Sequence, residues 1–285
     1  MAERRRAPAK LNLYLHVVGR RDDGYHLLDS LVAFCEVGDE IIAEPGAKLS
    51  LAIRGPQAAG LKEPAEENLV WRAALLLAAH VGRPPDAVLT LIKHLPIASG
   101  IGGGSSDAAA TFRALAALWR LDLDDAALST LGARLGADVP VCLARRVSWL
   151  GGIGERIESA PTLPALAAVL VNPGVALPTV TVFKARQGAF SAPARFDGAA
   201  PDAPALAALL ATRRNDLTAA AIGLLPEIGA VLERLAALDS ALIARMSGSG
   251  ATCFALFATP AAAEAAASEL RRERPRWWVA AGKLF

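Results

Sequence analysis

The residues best suited to chemistry gather between Lys93 and Leu118, KHLPIASGIGGGSSDAAATFRALAAL. Gly100, Gly102, Gly103 and Gly104 crowd into five positions, and Ser105, Ser106 and Asp107 follow directly. Backbone N–H groups in such a loop can close around an anion, and a following helix adds its free first-turn amides and the positive end of its dipole. Glycine suits the task because several residues must reach φ > 0 and a Cβ would block a phosphate. A flexible connector or a tight packing corner is the plainer reading; glycine density, paired hydroxyls and helix pattern together weigh against it. A Walker loop is excluded, because Gly104 runs into Ser105 with no lysine. The dinucleotide fingerprint fails as well, since counting from Gly102 puts Asp107 where its last glycine belongs. Protein-kinase landmarks are absent.

Other candidates lie outside this run. Residues 9–17 alternate, with Leu11, Leu13, Leu15 and Val17 on one face and Lys10, Asn12, Tyr14 and His16 on the other. That predicts a half-buried strand carrying a lysine and an amide about 7 Å apart, although a solvated strand face would look the same. Asp138, in Gly136-Ala137-Asp138-Val139-Pro140, is either a turn or cap residue or a base in reach of an acceptor hydroxyl. Tyr25 and His26 follow the turn Arg20-Arg21-Asp22-Asp23-Gly24, and Ser247-Gly248-Ser249-Gly250 makes a second glycine loop.

The elements that must position these groups read as α/β, of α+β type. A strand at 87–92 leads into the glycine loop, and Ser105 or Ser106 is the expected N-cap of a helix with Phe112, Leu115 and Leu118 on one face. Strands are expected at 39–43 and 49–53, a helix from 67 to about 80, and a helix capped by Asp124 that runs to Gly136. A strand over 141–150 then turns at Gly151-Gly152. A composition change at 159–164 suggests two domains, 1–160 and 161–285. The second has strands at 166–171, 242–246, 252–257 and 277–281 and helices at 179–184, 216–222, 226–237 and 260–272. That order suggests a split β-α-β sandwich of ferredoxin-like type. The stretch 187–204 reads as an irregular loop or mobile insert.

Composition narrows the class. The 285 residues carry a formal net charge of +2, which predicts no general affinity for nucleic acid. Apolar runs fall far short of the roughly 18 residues a membrane span needs, and the basic start lacks the apolar core of a signal peptide. Cys35, Cys142 and Cys253 lie far apart in apolar, β-prone segments, the expectation for buried thiols in a reducing, cytoplasmic compartment. Four histidines without clustered spacing give no metal site to propose.

The run from Pro96 through Ile97, Ala98, Ser99, Gly100, Ile101 and the following glycines to Ser106 resembles the phosphate loop of the GHMP family of small-molecule kinases, with Ile101 in the usual leucine place. Further blocks resemble that family in its own order: Ala7 to Asn12 with Asp23 to His26, Glu67 to Leu69, Gly136 to Pro140, Asn215 to Leu217, and Met246 to Thr252. The Gly-Tyr-His and Gly-Ala-Asp-Val-Pro elements point to members that phosphorylate a cytidyl diphosphate of methylerythritol in non-mevalonate isoprenoid synthesis. Another small-alcohol kinase, of mevalonate- or homoserine-kinase type, is the nearest alternative. The resemblance implies an N-terminal ribosomal-protein-like β/α domain, a C-terminal ferredoxin-like sandwich, and an active site in the cleft between them. It implies ATP with Mg²⁺, held by residues Pro96 to Ser106 with Gly103, Gly104 and Ser105, and with Asn68 and Lys93 near the nucleoside. Lys10 and Asp138 match its catalytic pair; Asn12, Tyr25, His26 and Phe183 match its substrate positions. No Mg²⁺ ligand, nucleic acid, membrane or obligate protein partner is implied. An RNA-binding protein, suggested by the domain likeness and Arg4-Arg5-Arg6, lacks a wider basic stripe or aromatic platform.

Overall fold

The computed structural model describes all 285 residues. Two long strands open the chain, β1 (Glu3–Arg20) and β2 (His26–Pro45), paired and joined at a tip where Gly24 takes φ +92°. Next come β3 (Ser50–Arg54), α1 (Leu69–His80), β4 (Ala87–Ile92), α2 (Gly103–Leu118), α3 (Asp125–Ala133) and α4 (Val139–Ala144). The hairpin β5 (Ser148–Gly151) and β6 (Arg156–Ser159) follows, then β7 (Ala167–Asn172), α5 (Thr179–Ala185), α6 (Ala203–Ala211), α7 (Thr218–Leu224) and α8 (Glu227–Ala236). The chain closes with β8 (Ile243–Met246), β9 (Cys253–Phe257), α9 (Pro260–Glu273) and β10 (Trp278–Lys283).

Its contacts divide into two compact units that no single cut near residue 160 separates. One comprises residues 1–9, 38–97 and 102–145; the other comprises 10–37, 98–101 and 146–285. The reason is the length of β1 and β2, each of which gives one end to each unit.

In the first unit β4 lies between its neighbours, parallel to β3 (Leu51 opposite Leu89) and antiparallel to the second half of β2 (Ile41 opposite Leu91). Helix α1 buries Val70, Ala73, Ala74, Leu77 and Ala78, the stripe expected of an amphipathic helix packed on one side. Asp124 caps α3 as expected, its carboxylate accepting from Ala127 N–H. The strand expected over 141–150 is a correction: residues 139–144 are helical, and only Ser148–Gly151 is extended. Pro140 sits in the first turn of α4, where its fixed φ favours a helix start and its missing N–H costs nothing. Cys142 is therefore helical, not in a strand.

In the second unit the sheet order is β10-β7-β9-β8, antiparallel throughout. Numbered within this four-stranded sheet the order is fourth, first, third, second, the ferredoxin-like arrangement. Every residue of β7 and β9 is buried. Val169, Val171 and Phe257 share a core with Leu15, Val17, Ile228 and Leu270. β1 differs from the half-buried expectation, since residues 7–17 are buried on both faces. Three side chains of its polar face find partners in the interior: Asn12 Nδ2 donates to Ser30 Oγ, Tyr14 O–H to Asp29 Oδ2, and His16 Nδ1 meets Ala192 O.

Two further differences concern the C-terminal half. A helix, α6, occupies Ala203–Ala211 where no element was expected; Asp202 caps it and Pro204 lies in its first turn. The segment before it is irregular, as expected, but it is pinned. Ser191 N–H donates to Val17 O, Ala194 N–H to Asp29 Oδ2, and Arg195 Nε to Asp29 Oδ1.

Close packing of β2 on β1 generates a stability prediction. A Cβ at Gly38 would lie 2.4 Å from Ala7 O and 2.7 Å from Pro8 Cα, both backbone atoms. Gly38→Ala is expected to destabilise by about 1–3 kcal/mol or more. Gly223→Ala in α7, where nothing lies within 4 Å, is expected to be neutral or stabilising by up to about 1 kcal/mol. Denaturant unfolding of both variants checks the pair; equal midpoints would contradict it.

Candidate active site

The glycine loop joins β4 to α2, and its backbone is unusual in a regular way. Ala98, Gly100 and Gly102 have φ of 48°, 73° and 64°, so every second residue is left-handed. Alternation of that kind makes an anion-binding concavity of backbone N–H groups. Ala98 bears a Cβ in this region, which costs energy that the surroundings must supply. The helix cap differs from expectation. Gly102, not Ser105 or Ser106, is the N-cap, and Ser106 lies buried one turn inside α2. The first-turn amides of α2 therefore begin at Gly103, with no acceptor within the helix.

Beneath this first turn lies an ion-pair cluster that was not anticipated. Lys93 Nζ sits 2.5 Å from Asp39 Oδ2 and 2.8 Å from Asp107 Oδ2, with all three side chains at most 4 % exposed. Asp39 Oδ1 also accepts the N–H groups of His94 and Leu95, at 2.6 and 2.8 Å. Asp107 Oδ1 is buried without a partner. One ammonium cannot neutralise two carboxylates in a dry interior. Burial, reinforced by Asp39, outweighs the attraction of Lys93 and lifts Asp107 to about 7. Burial opposes the charge on Lys93 too, but the two carboxylates overcome it and hold the ammonium above its usual range. A Cβ at Gly103 would stand 3.2 Å from Lys93 Nζ, so the cluster presses directly on the loop. The Lys93 side chain is thus engaged below the loop. Its signal in the sequence was an aspartate within each of two apolar elements, Asp39 in β2 and Asp107 in α2.

The remaining candidates divide between the units. Asn68 caps α1, its Oδ1 accepting Val70 N–H at 2.9 Å, and Asp138 stands at the N-cap of α4. Both belong to the first unit, Lys10 and Asn12 to the second. Lys10 is 4 % exposed, and its backbone N–H donates to Ile101 O in the glycine loop. Asn12 Oδ1 is buried and has no partner. His26 and Phe183 come together, rings stacked at 5.2 Å and 27°, while Tyr25 stands 59 % exposed at the tip of the β1–β2 hairpin. Partial burial, helped by Arg20 and Arg186, lowers the His26 pKa and favours a neutral ring. No group of three His, Cys, Asp or Glu side chains is placed to hold a metal ion. A separate cavity of about 600 Å³, lined by His16, Ser191, Arg213 and Arg214, contains none of the candidates.

The cluster predicts a pH effect. A carboxyl that binds its proton more tightly folded than unfolded costs stability as pH rises from its unfolded value of about 4 to the folded value of about 7. Asp107→Asn keeps an acceptor for Lys93 and cannot ionise. Its Tm should therefore decline less than that of the wild type between about pH 4 and 7; parallel Tm–pH curves over that range would refute the assignment.

Comparison with known proteins agrees with this geometry. The pattern described as GHMP kinases N terminal domain matches residues 68–146, and that described as GHMP kinases C terminal matches residues 199–276. A 4-diphosphocytidyl-2-C-methyl-D-erythritol kinase of Rhodospirillum rubrum is 52% identical, over 98% of this chain and 91% of that protein. One of Cereibacter sphaeroides is 54% identical over 98% of both. A crystal structure of 4-(cytidine 5'-diphospho)-2C-methyl-D-erythritol kinase superposes with a TM-score of 0.79 at 37% identity, covering 99% of this chain and 98% of that one. With two compact units, a ferredoxin-like sheet and a left-handed glycine loop at a helix start, the chain belongs to the GHMP kinase family.

Proposed function

We propose that this protein transfers the γ-phosphoryl group of ATP to the 2-hydroxyl of 4-diphosphocytidyl-2-C-methyl-D-erythritol, giving the 2-phosphate and ADP in non-mevalonate isopentenyl diphosphate synthesis. One observation carries the reading. The left-handed alternation at residues 98, 100 and 102 feeds a helix start in a chain about half identical, end to end, to relatives bearing that kinase's name.

The residues suit the nucleotide. Backbone amides between residues 97 and 105 would wrap the phosphates, and a Cβ at Gly100 or Gly102 would be strained at their positive φ. Asn68 and Lys93 lie near the nucleoside in this reading, with the Lys93 ammonium held by Asp39 and Asp107. ATP enters as its magnesium complex, and no residue is assigned to the ion.

Phosphoryl transfer needs in-line positioning and charge stabilisation more than covalent chemistry. Asp138 accepts the proton of the acceptor hydroxyl as the new P–O bond forms, and Lys10 stabilises the charge carried by the migrating group. Tyr25, His26 and Phe183 receive the cytosine ring, and a neutral His26 can both donate to and accept from its polar edge. Asn12 Oδ1, buried without a partner, offers an acceptor to a substrate N–H or O–H. The family domains are assigned to 1–160 and 161–285, each enclosing one family match. No helix is long and apolar enough to cross a membrane, and the cytoplasm is the proposed compartment.

Incubation with Mg-ATP and the cytidyl substrate should yield the 2-phosphate. Phosphorylation of simple alcohols regardless of the cytidine group would favour another GHMP activity. Asp138→Asn is expected to lower kcat by roughly 10²–10⁴ with both substrates still bound. Combining it with Lys10→Ala should be less than additive; a folded Asp138→Asn enzyme with wild-type kcat would remove Asp138 from the mechanism. Tyr25→Ala, which loses little packing, should weaken the cytidyl substrate by about 1–3 kcal/mol and leave Tm and ATP affinity in place. Calorimetric titration of both ligands checks this, and equal weakening of the two would count against a stacking role.

A further inference from the structure

The separate cavity of about 600 Å³ lies wholly within the second unit. One wall is the irregular segment 190–194, and the other is the end of α6 with the turn after it, residues 211–214. His16 of β1 ties the two walls together. Its Nε2 accepts Arg214 N–H at 3.3 Å, which leaves the ring proton on Nδ1, 3.0 Å from Ala192 O. The ring is therefore neutral and fully engaged, and the cavity is formed before any ligand arrives.

The charges around it do not balance. Arg213 spends Nε on Ala194 O at 2.5 Å and Nη1 on Leu209 O and Thr212 Oγ1, all neutral oxygens, and its Nη2 bonds to nothing in the chain. The guanidinium lies 4.9 Å from the Phe196 ring centre and 5.9 Å from that of Tyr14, so it is held in place with one edge open. Asp29, which Tyr14 reaches, is already paired with Arg195. Buried Arg245 is a neighbour, bonded to Arg213 O, Leu13 O and Leu210 O, again without a carboxylate. Burial and Arg213 together pull its pKa down to about 10. Arg214 has one carboxylate, Asp216 at 2.7 Å, and gives Nη2 to Ser191 Oγ, leaving Nη1 without a partner. At the rim Arg186 lies over the Phe190 ring at 5.0 Å and likewise bonds only carbonyls, Gly188 O and Ala189 O.

We propose that this cavity is a binding site for a small organic phosphate, separate from the candidate active site, with Arg213 Nη2 and Arg214 Nη1 as its phosphate donors. Like charges gathered away from bulk water repel, and an anion between them converts that repulsion into attraction. A phosphate monoester carries about −1.5 to −2 at neutral pH and suits several guanidiniums better than a carboxylate does. The cavity is far larger than a phosphate alone, and Phe190, Pro193 and Ala211 supply apolar wall for an organic part. An occupant would bridge the irregular segment and the turn after α6.

The test is calorimetric titration with phenyl phosphate, in the presence of saturating non-hydrolysable ATP analogue and cytidine diphosphate so that the nucleotide sites are filled. Wild type is expected to bind phenyl phosphate, and Arg213→Gln and Arg214→Gln are each expected to weaken it by about 10-fold or more with ATP-analogue affinity unchanged. Phe190→Ala should weaken phenyl phosphate and leave inorganic phosphate alone. No binding by wild type, or an affinity for phenyl phosphate unchanged in the arginine variants, overturns the proposal. Benzoate bound as tightly as phenyl phosphate overturns the choice of phosphate, and inorganic phosphate bound as tightly overturns the organic part. Should Arg213→Gln fail to fold, Arg214→Gln carries the test, because that side chain is 71% exposed. The inference is independent of the kinase reading, and nucleotides that failed to bind would count against that reading alone.

Discussion

One ammonium shared by two carboxylates is the constraint around which the first unit is arranged. Lys93 follows the last residue of β4, Asp39 stands at the edge of the β4-paired part of β2, and Asp107 lies in the first turns of α2. Three elements therefore converge on a single buried charge. Such a cluster is a poor source of net stability, because desolvation consumes most of the Coulombic gain. What it supplies is direction. Ion pairs at 2.5 and 2.8 Å tolerate little displacement, so the start of α2 is held in one place relative to the strand that leads into it.

A second kind of constraint acts on the other limb of the loop. There the fixing groups are neutral, mostly backbone, and they come from β1, the segment before α5, and the turn between β8 and β9. Charge below the helix start and captured carbonyls along the ascending limb divide the work. The first sets where the helix begins, the second which way its preceding peptides face.

Much of this was legible in the sequence, and the failures have physical reasons. The alternation in β1, the Asp124 cap and the β-α-β-β-α-β order of the C-terminal sheet follow from side-chain period and local chemistry, which act over a few residues. Ser105 and Ser106 were expected caps because serine favours that place; Gly102 took it because the cap residue had to be left-handed. Residues 141–150 read as a strand on composition, yet Pro140 in the first turn of a helix at 139–144 is a helix signal. The Lys93 cluster joins residues 54 and 14 positions apart in sequence, and no local pattern encodes such a meeting. Candidate residues of the site were found by motif; their partners Asp39, Asp107, Ser30 and Ser247 emerged only from three-dimensional contact.

The irregular segment before α6 shows how a fixed path can coexist with a free sequence. Two of its anchors, Ser191 N–H on Val17 O and Ala194 N–H on Asp29 Oδ2, are main-chain donors that every amino acid except proline possesses. The acceptors lie on the well-packed strands β1 and β2. Side chains along this strap, Arg195 apart, can therefore be replaced without losing these two anchors, provided proline stays out of 191 and 194. The strap's lack of periodicity is compatible with a fixed course, because the geometry is written in the strands beneath.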